Sequence, residues 1–428
     1  MIVVGAGIAG LAAARDLARG GTKVVVLEAR ARAGGRILTQ RDQGSFCPVE
    51  LGAEFVHGGN RALSALIAES GLKTRVVPER HWIVRDGRRR SIPGLWDRVD
   101  RVMQRIGPTY SSSFESWIRG PGRQLRQLDR AIAQEFVAGF QGAPLARMSA
   151  HALFVAASIG EGAQSRVVGG YDQLIGFLQG ELGALHMPVH LNSSVHRVRW
   201  SPHEVTAWVG DRAWSASLLL VTVPLGVLRE PRRAQGAIHF EPRLAQKQNL
   251  WDKVEPGHVR RVVFRLRDNA WRSRVLPSDL RARQGRGFGF LHSDEPEFPV
   301  WWSEAPAPLL VGWAGGAKAE RLAGLAATEI FQRALQALAR VLRVDPAALA
   351  GLVVESRTHD WSTDPFTRGA YSFSVARAED VPGRLAAPVD NTIFFAGEAT
   401  ADPLELGTVH GALSSGQRAA KEMLNALA

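Results

Sequence analysis

At 428 residues the chain is long for one domain, and 45 % hydrophobic with 22 % charged residues is ordinary for a globular protein of two packed domains. No apolar run approaches the roughly 18–20 residues that cross a bilayer; the longest, over 218–228, is interrupted by Thr222 and Pro224. Cys47 is the only cysteine, which excludes a disulfide framework, while a net charge of +12, carried mostly by arginine, leaves open a basic face for acidic partners.

Met1 leads straight into Ile2-Val3-Val4, a short β-branched run that reads as a buried parallel strand, so no secretory leader is expected and a cytoplasmic location is. Gly5-Ala6-Gly7-Ile8-Ala9-Gly10 follows, then the alanine-rich helix Leu11-Ala12-Ala13-Ala14-Arg15-Asp16-Leu17, closed by Gly20-Gly21. Lys23-Val24-Val25-Val26-Leu27 predicts a second strand ending at Glu28. In such a loop one glycine makes a tight turn, the next lets backbone approach a pyrophosphate, and the third lets helix and strand pack closely. The helix start offers N–H groups and the positive dipole end to the diphosphate. Glu28 stands where a carboxylate accepts from a ribose hydroxyl, which disfavours the 2′-phosphate of NADP. NAD and FAD both fit this far. Arg30-Ala31-Arg32-Ala33-Gly34-Gly35-Arg36 adds a second glycine turn and a cation beside the diphosphate, which favours FAD.

Farther along, Arg85-Asp86-Gly87-Arg88-Arg89-Arg90 between Trp82 and Ile92 reads as a hairpin tip. It is the densest basic run; the remaining charge reads as scattered surface arginine, so no nucleic-acid partner is expected. The stretch 61–164 is polar and helix-like. Residues 236–384 mix strands at Val259–Leu266 and Leu309–Trp313 with a helix over 321–342. Phe394-Phe395-Ala396-Gly397-Glu398 is a buried strand ending at a carboxylate, and a helix over 412–427 closes the chain. No metal-binding cluster, internal repeat or coiled coil is visible.

These motifs together resemble the flavin-containing amine oxidase family, which includes monoamine oxidases, polyamine oxidases and flavin-type lysine demethylases. The resemblance spans almost the whole chain. It is carried by Gly5 to Gly10 with Glu28 to Arg36; by Glu50-Leu51-Gly52-Ala53-Glu54-Phe55-Val56-His57-Gly58; by Gly169-Gly170-Tyr171-Asp172; by Val221 to Leu228; by Trp361, Asp364-Pro365 and Gly369-Ala370-Tyr371-Ser372; and by Phe394 to Thr400 with Gly407-Thr408-Val409-His410-Gly411-Ala412. In motif form it is closest to bacterial polyamine-oxidase-like members. The implied fold is α/β: a Rossmann-type, GR2-like FAD-binding domain assembled from 1–60, 165–235 and 385–428, with an interleaved α+β substrate domain from 61–164 and 236–384.

The resemblance implies cofactor contacts at Gly5, Gly7, Ile8, Ala9, Gly10, Glu28, Ala29, Arg30, Gly35, Arg36, Gly52, Ala53, Glu54, Val195, Trp361, Gly397, Glu398, Thr408 and Val409. Val195, ending a strand over 188–195, is placed at the adenine, though a valine there also serves the core. Glu398 is placed on the ribityl chain, and the backbone at Thr408 and Val409 against the flavin's pyrimidine edge. Where monoamine oxidases tether the flavin through a cysteine before the tyrosine, this chain has Ala370, so FAD is expected to be held noncovalently.

The implied catalytic residues are Tyr371, one wall of an aromatic cage; Thr408, opposite it; Trp361, beside the ring system; His57, to hold or deprotonate the amine; and Arg261. Glu54 either attracts a cationic amine or pairs with an arginine, and Trp301 and Trp302 either line the entrance or sit in the core. Arg261 is a departure: the spacing from Gly257 reaches an arginine where the family has a lysine linked through water to the flavin, and Lys253 comes too early to substitute. Arginine keeps a cation there but does not release its proton.

The implied reaction is FAD-dependent oxidation of a primary or secondary amine to an imine, hydrolysed to an aldehyde or ketone, with O2 reoxidising the flavin to give H2O2. The alternatives are a dehydrogenase or desaturase using another acceptor, or a flavin-binding protein with little oxidase activity. Amino acid oxidases are a neighbouring reading, but their carboxylate-binding arginine is replaced by Phe55.

Overall fold

The computed structural model describes residues 1–41, 47–158, 162–280, 288–304 and 306–427. The strand Ile2–Val4 lies at the centre of a five-stranded parallel sheet. Its strand order is Ile393–Phe395, Leu219–Val221, Ile2–Val4, Val25–Leu27 and Val189–His190. Because side chains alternate across a strand, Val3 faces one layer while Ile2 and Val4 face the other. Val3 packs with the helices Ile8–Arg19, Asp172–Ala184 and Val409–Asn425. Ile2 and Val4 pack against an antiparallel meander, Arg197–Ser201, Glu204–Val209 and Arg212–Ala216, through Val198, Trp200, Val205 and Ala207. Burial on both faces explains the unbroken β-branched run. The last helix crosses the first so closely that a Cβ on Gly416 would lie 2.2 Å from the carbonyl oxygen of Ala9.

A second sheet has seven strands, ordered Val353–His359, Val259–Leu266, Leu309–Gly315, Val300–Ser303, Phe290–Ser293, His81–Arg85 and Arg88–Ser91. All its pairings are antiparallel except that of Phe290–Ser293 with His81–Arg85. The helix Ala327–Leu342 packs its Ile330, Ala334, Leu338 and Val341 on this sheet with Val262, Phe264 and Trp301. The helices Leu95–Gln104, Phe114–Arg119, Gln127–Glu135 and Ala150–Ala157 form a separate apolar cluster beside it.

The mixed α/β architecture and the strand–glycine loop–helix–strand opening agree with expectation, as does the hairpin, whose turn is Asp86-Gly87. Several boundaries differ. The helix expected over 321–342 begins at Ala327, because Gly324, at φ +73°, breaks it from the short helix Ala317–Glu320. Of 188–195 only Val189–His190 pairs; Asn192, at φ +52°, turns the chain away. The stretch 61–164 is not wholly helical, since it supplies His81–Arg85 and Arg88–Ser91 to the second sheet and Thr74–Val76 to a pair with Ser165–Val167. The last helix starts at Val409 rather than Ala412, because the Thr408 hydroxyl caps it by accepting from the Gly411 N–H at 2.9 Å. Among the described residues no helix is long and apolar enough to cross a membrane, and no group of His, Cys, Asp and Glu could hold a metal ion.

Candidate active site

A cavity of about 660 Å³ runs from the first glycine loop, along the carboxyl ends of the parallel strands, to the seven-stranded sheet and the helical cluster. At the loop, a Cβ on Gly10 would lie 2.0 Å from the Gly5 carbonyl oxygen, so only glycine lets the helix pass the strand end this closely. A Cβ on Gly7, by contrast, would meet no protein atom within 4 Å; Gly7 borders the cavity, and its bare backbone is open to a ligand. Glu28 is buried at the end of its strand. Its Oε2 accepts from the Ala6 N–H at 2.8 Å and its Oε1 from the Arg30 N–H at 2.9 Å. Each carboxylate oxygen retains lone-pair capacity for a hydroxyl.

Midway along the cavity Glu398, also buried, accepts from Arg36 Nη1 at 2.8 Å, from Ser372 Oγ at 3.0 Å and, through Oε2, from the Ser372 N–H at 3.1 Å. Arg36 donates as well to the carbonyl of Ala370. The start of the helix Val409–Asn425 borders the same space, with its positive dipole end toward it. The open glycine, the strand-end carboxylate, a second buried carboxylate and a second helix start fit an extended dinucleotide carrying a ring system at its far end. FAD has that shape. Arg30 is less free than the sequence implied: it pairs with Asp364 at 2.6 Å and lies over the Phe366 ring. The Asp364 carboxyl, though burial pushes it up, is held down at about 2, chiefly by its hydrogen bond with His359.

Tyr371 is placed by backbone. Its carbonyl accepts from the Gly257 N–H at 2.7 Å, and the Ala370 N–H donates to the Gly257 carbonyl at 2.9 Å. This extends the strand pairing of Val254–Pro256 with Ser372–Ser374. The Tyr371 hydroxyl donates to the carbonyl of Phe140, at the end of the wide helical turn Phe136–Phe140. Trp361 is buried and donates from Nε1 to the Leu51 carbonyl at 3.1 Å, which holds its ring against the cavity beside Gly52. His57 faces the edges of Phe140 and His410, with ring centres 6.5 and 6.2 Å away. Thr408 borders the cavity, but its hydroxyl is committed to the helix start and to the Glu405 carbonyl, at 2.6 Å.

Arg261 is engaged differently from expectation. It is buried, and its Nη2 lies 2.5 Å from Glu54 Oε2 and 3.3 Å from Glu304 Oε1. Glu54 also pairs with Arg166 and accepts from Trp302 Nε1 at 3.2 Å. The cation expected at this position is thereby matched by two carboxylates, and Glu54 is an arginine partner rather than an open attractant for an amine. Burial pushes the Glu54 carboxyl up, but the Arg166 and Arg261 guanidiniums hold it below its ordinary value. Glu304 is raised, by burial first and then by the negative charge of Glu54.

Of the residues expected at the site, Gly10 alone does not border the cavity; it lies behind the loop as a packing residue. Ile8, Ala9, Ala29, Gly35, Ala53, Val195 and Gly397 all border it. Val195 does so while packing in one apolar cluster with Ile2 and Leu27. Trp302 lines the cavity, whereas Trp301 is core. Cys47 is not among the lining residues. Sequence reasoning missed Arg166, Glu304, the Phe140 carbonyl and the lining pair Glu135 and Lys318. Each is defined by a contact across the fold, and none carries a local signature.

A family model for flavin containing amine oxidoreductase matches residues 8–424. The chain is 27 % identical to human lysine-specific histone demethylase 2, over 99 % of this chain and 53 % of that protein. It is 28 % identical to polyamine oxidase 4 of Oryza sativa subsp. japonica, over 99 % of this chain and 88 % of that one. The chain spans about half the length of the demethylases it matches. Among solved structures, wild-type putrescine oxidase bound to putrescine superposes with a TM-score of 0.80 at 26 % identity, covering 99 % of this chain and 98 % of that one. Cyclohexylamine oxidase from Brevibacterium oxydans IH-35A shares the fold, also at a TM-score of 0.80, with 20 % identity over 100 % and 98 % of the two chains.

Proposed function

The chain belongs to the flavin containing amine oxidoreductase family, with FAD as its cofactor, and we propose that it converts a primary or secondary amine to an imine, with O2 as the electron acceptor and H2O2 as the second product. We assign 1–60, 165–235 and 385–428 to the cofactor domain and 61–164 and 236–384 to the substrate domain. This division is supported by the parallel sheet, all of whose strands come from the first three segments. We also assign noncovalent binding, on the ground that Ala370 offers no sulfur.

The observation that carries the reading is the adjacency of Tyr371 to Ser372, whose N–H and hydroxyl both donate to Glu398. The aromatic wall and the cofactor-anchoring carboxylate are thus tied to each other through one residue. Bound FAD supplies the two-electron acceptor that turns the amine C–N bond into C=N. The chain's own residues do the rest. Tyr371 and Trp361 present ring faces that orient the amine and keep water from it. His57, at the cavity wall, is the group we assign to taking the proton of an incoming ammonium, because a neutral imidazole keeps one ring nitrogen as an acceptor. The imine then adds water and releases a carbonyl compound and the shortened amine or ammonia.

A second reading, in which another acceptor replaces O2, draws on one observation: the charge of Arg261 is compensated by Glu54 and Glu304. Mixing the holoenzyme anaerobically with a panel of amines tests the main reading. Bleaching of the flavin absorbance by at least one amine is expected, and the absence of bleaching with every amine would sink it. Admitting oxygen to the bleached enzyme separates the two acceptors.

A further inference from the structure

We propose that the substrate is a monoamine with an apolar body, and that the cavity offers no seat for a second ammonium group; this rests on the amine-oxidation reading above. The substrate end is walled by aromatic rings in mutual contact. Trp96 and Phe136 each lie 5.3 Å from Phe140, and Phe290 lies 5.7 Å from Trp302, centre to centre. Met148 and Leu153 add aliphatic surface. Such walls take up alkyl or aryl groups by burial of apolar area and give a distal charge nothing to replace its hydration.

The carboxylates decide the matter. Among the described residues five line the cavity: Glu28, Glu54, Glu135, Asp294 and Glu398. Glu28 is held by two backbone N–H groups at the dinucleotide end, and Glu398 by Arg36 and Ser372. Glu54 is shared between Arg166 and Arg261. Glu135, the one acid within the aromatic part, receives Lys318 Nζ on both oxygens at 3.1 Å. Asp294 is exposed and lies at the surface. Away from the dinucleotide end and the exposed mouth at Asp294, a distal ammonium would therefore have to displace an existing cation before finding a partner, and would do so beside Lys318, Arg261 and Arg85, which also line the space. The net charge of +12 adds a long-range field that repels polycations more than monocations. The imidazole of His292, also on this wall, carries no charge at neutral pH. His292 meets His81 at 3.0 Å, and burial lowers these imidazoles to about 3 and about 4.

The test uses the oxidised holoenzyme and two probe sets, benzylamine and hexylamine against 1,4-diaminobutane and spermidine. Binding is read from the perturbation of the flavin spectrum, and turnover from anaerobic bleaching. The monoamines are expected to half-saturate at about 100-fold lower concentration than the diamine. Lys318→Met, which releases Glu135, should improve the diamine relative to the monoamine by about tenfold or more. Equal or tighter binding of the diamine by the unaltered protein overturns the proposal, as does a failure of every monoamine to perturb the spectrum. Monoamine binding without bleaching leaves the substrate class standing and removes the amine-oxidation reading instead.

Discussion

Replacing Glu50 with glutamine should abolish a loss of stability that the protein otherwise suffers as pH rises. Glu50 ends the strand Val49–Glu50 and is buried, accepting from the Tyr171 N–H at 2.7 Å and the Thr39 hydroxyl at 2.7 Å. These donors and the charge of Arg261 only partly offset burial, which pushes the carboxyl from 4.5 up to about 8. Between those values the unfolded chain has released this proton and the folded chain has not. Folding then takes up a proton, so stability falls with rising pH, by about 1.4 kcal/mol per unit. From pH 5 to pH 8 the decline from this group is about 4 kcal/mol, and it is complete above about pH 8. Glutamine keeps an oxygen for the Tyr171 N–H, and its amide can donate to Thr39, so the variant retains both contacts without the titration. Urea unfolding of both holoproteins, followed by tryptophan fluorescence at pH 5 to pH 9, gives the difference directly. The variant should gain about 4 kcal/mol on the unaltered protein across that range. Parallel stability curves would refute the reasoning, because they would mean Glu50 is ionised in the folded state at neutral pH.

Glu28→Ala strips the Ala6 and Arg30 amides of their acceptor as well as the place for a ribose hydroxyl. FAD affinity should fall by about 100-fold, measured by flavin fluorescence on dilution, and unchanged retention would remove Glu28 from the cofactor site. Tyr371→Ala should slow anaerobic flavin bleaching by about tenfold or more while FAD stays bound; an unchanged rate takes the ring out of the amine's surroundings. Arg261→Lys alters a cation held by Glu54 and Glu304, so reoxidation by O2 should change by several-fold while reduction by amine does not. Identical oxygen kinetics in the two proteins would show that this position does not govern the acceptor step.

Where function rests on local chain geometry, the sequence was readable. Spacing alone read Gly7 and Gly10 into a strand–loop–helix turn and Glu28 at a strand end, while Tyr371 and Thr408 were legible only through the motifs of the family. The substrate end was not readable in that way, because its chemistry is made by pairs far apart in the chain. Glu54 meets Arg166 across 112 positions, and Glu135 meets Lys318 across 183. Nothing in the local pattern of Ser165–Val167 marks Arg166 as the partner of a buried carboxylate. The hairpin over 82–91 was legible from its turn, but its pairing with Phe290–Ser293, more than two hundred residues away, was not. Arg261 joins the two cases. Its departure from the family's lysine was visible in one dimension, but the effect of that departure was set by Glu54 and Glu304, which only the fold brings to it. The same pairing satisfies the cation and uses up Glu54, a buried acid on the cavity wall. On the readings proposed above Arg261 bears on both the acceptor step and the choice of amine, so a substitution that removes its charge, unlike Arg261→Lys, should be read for substrate preference as well as for oxygen.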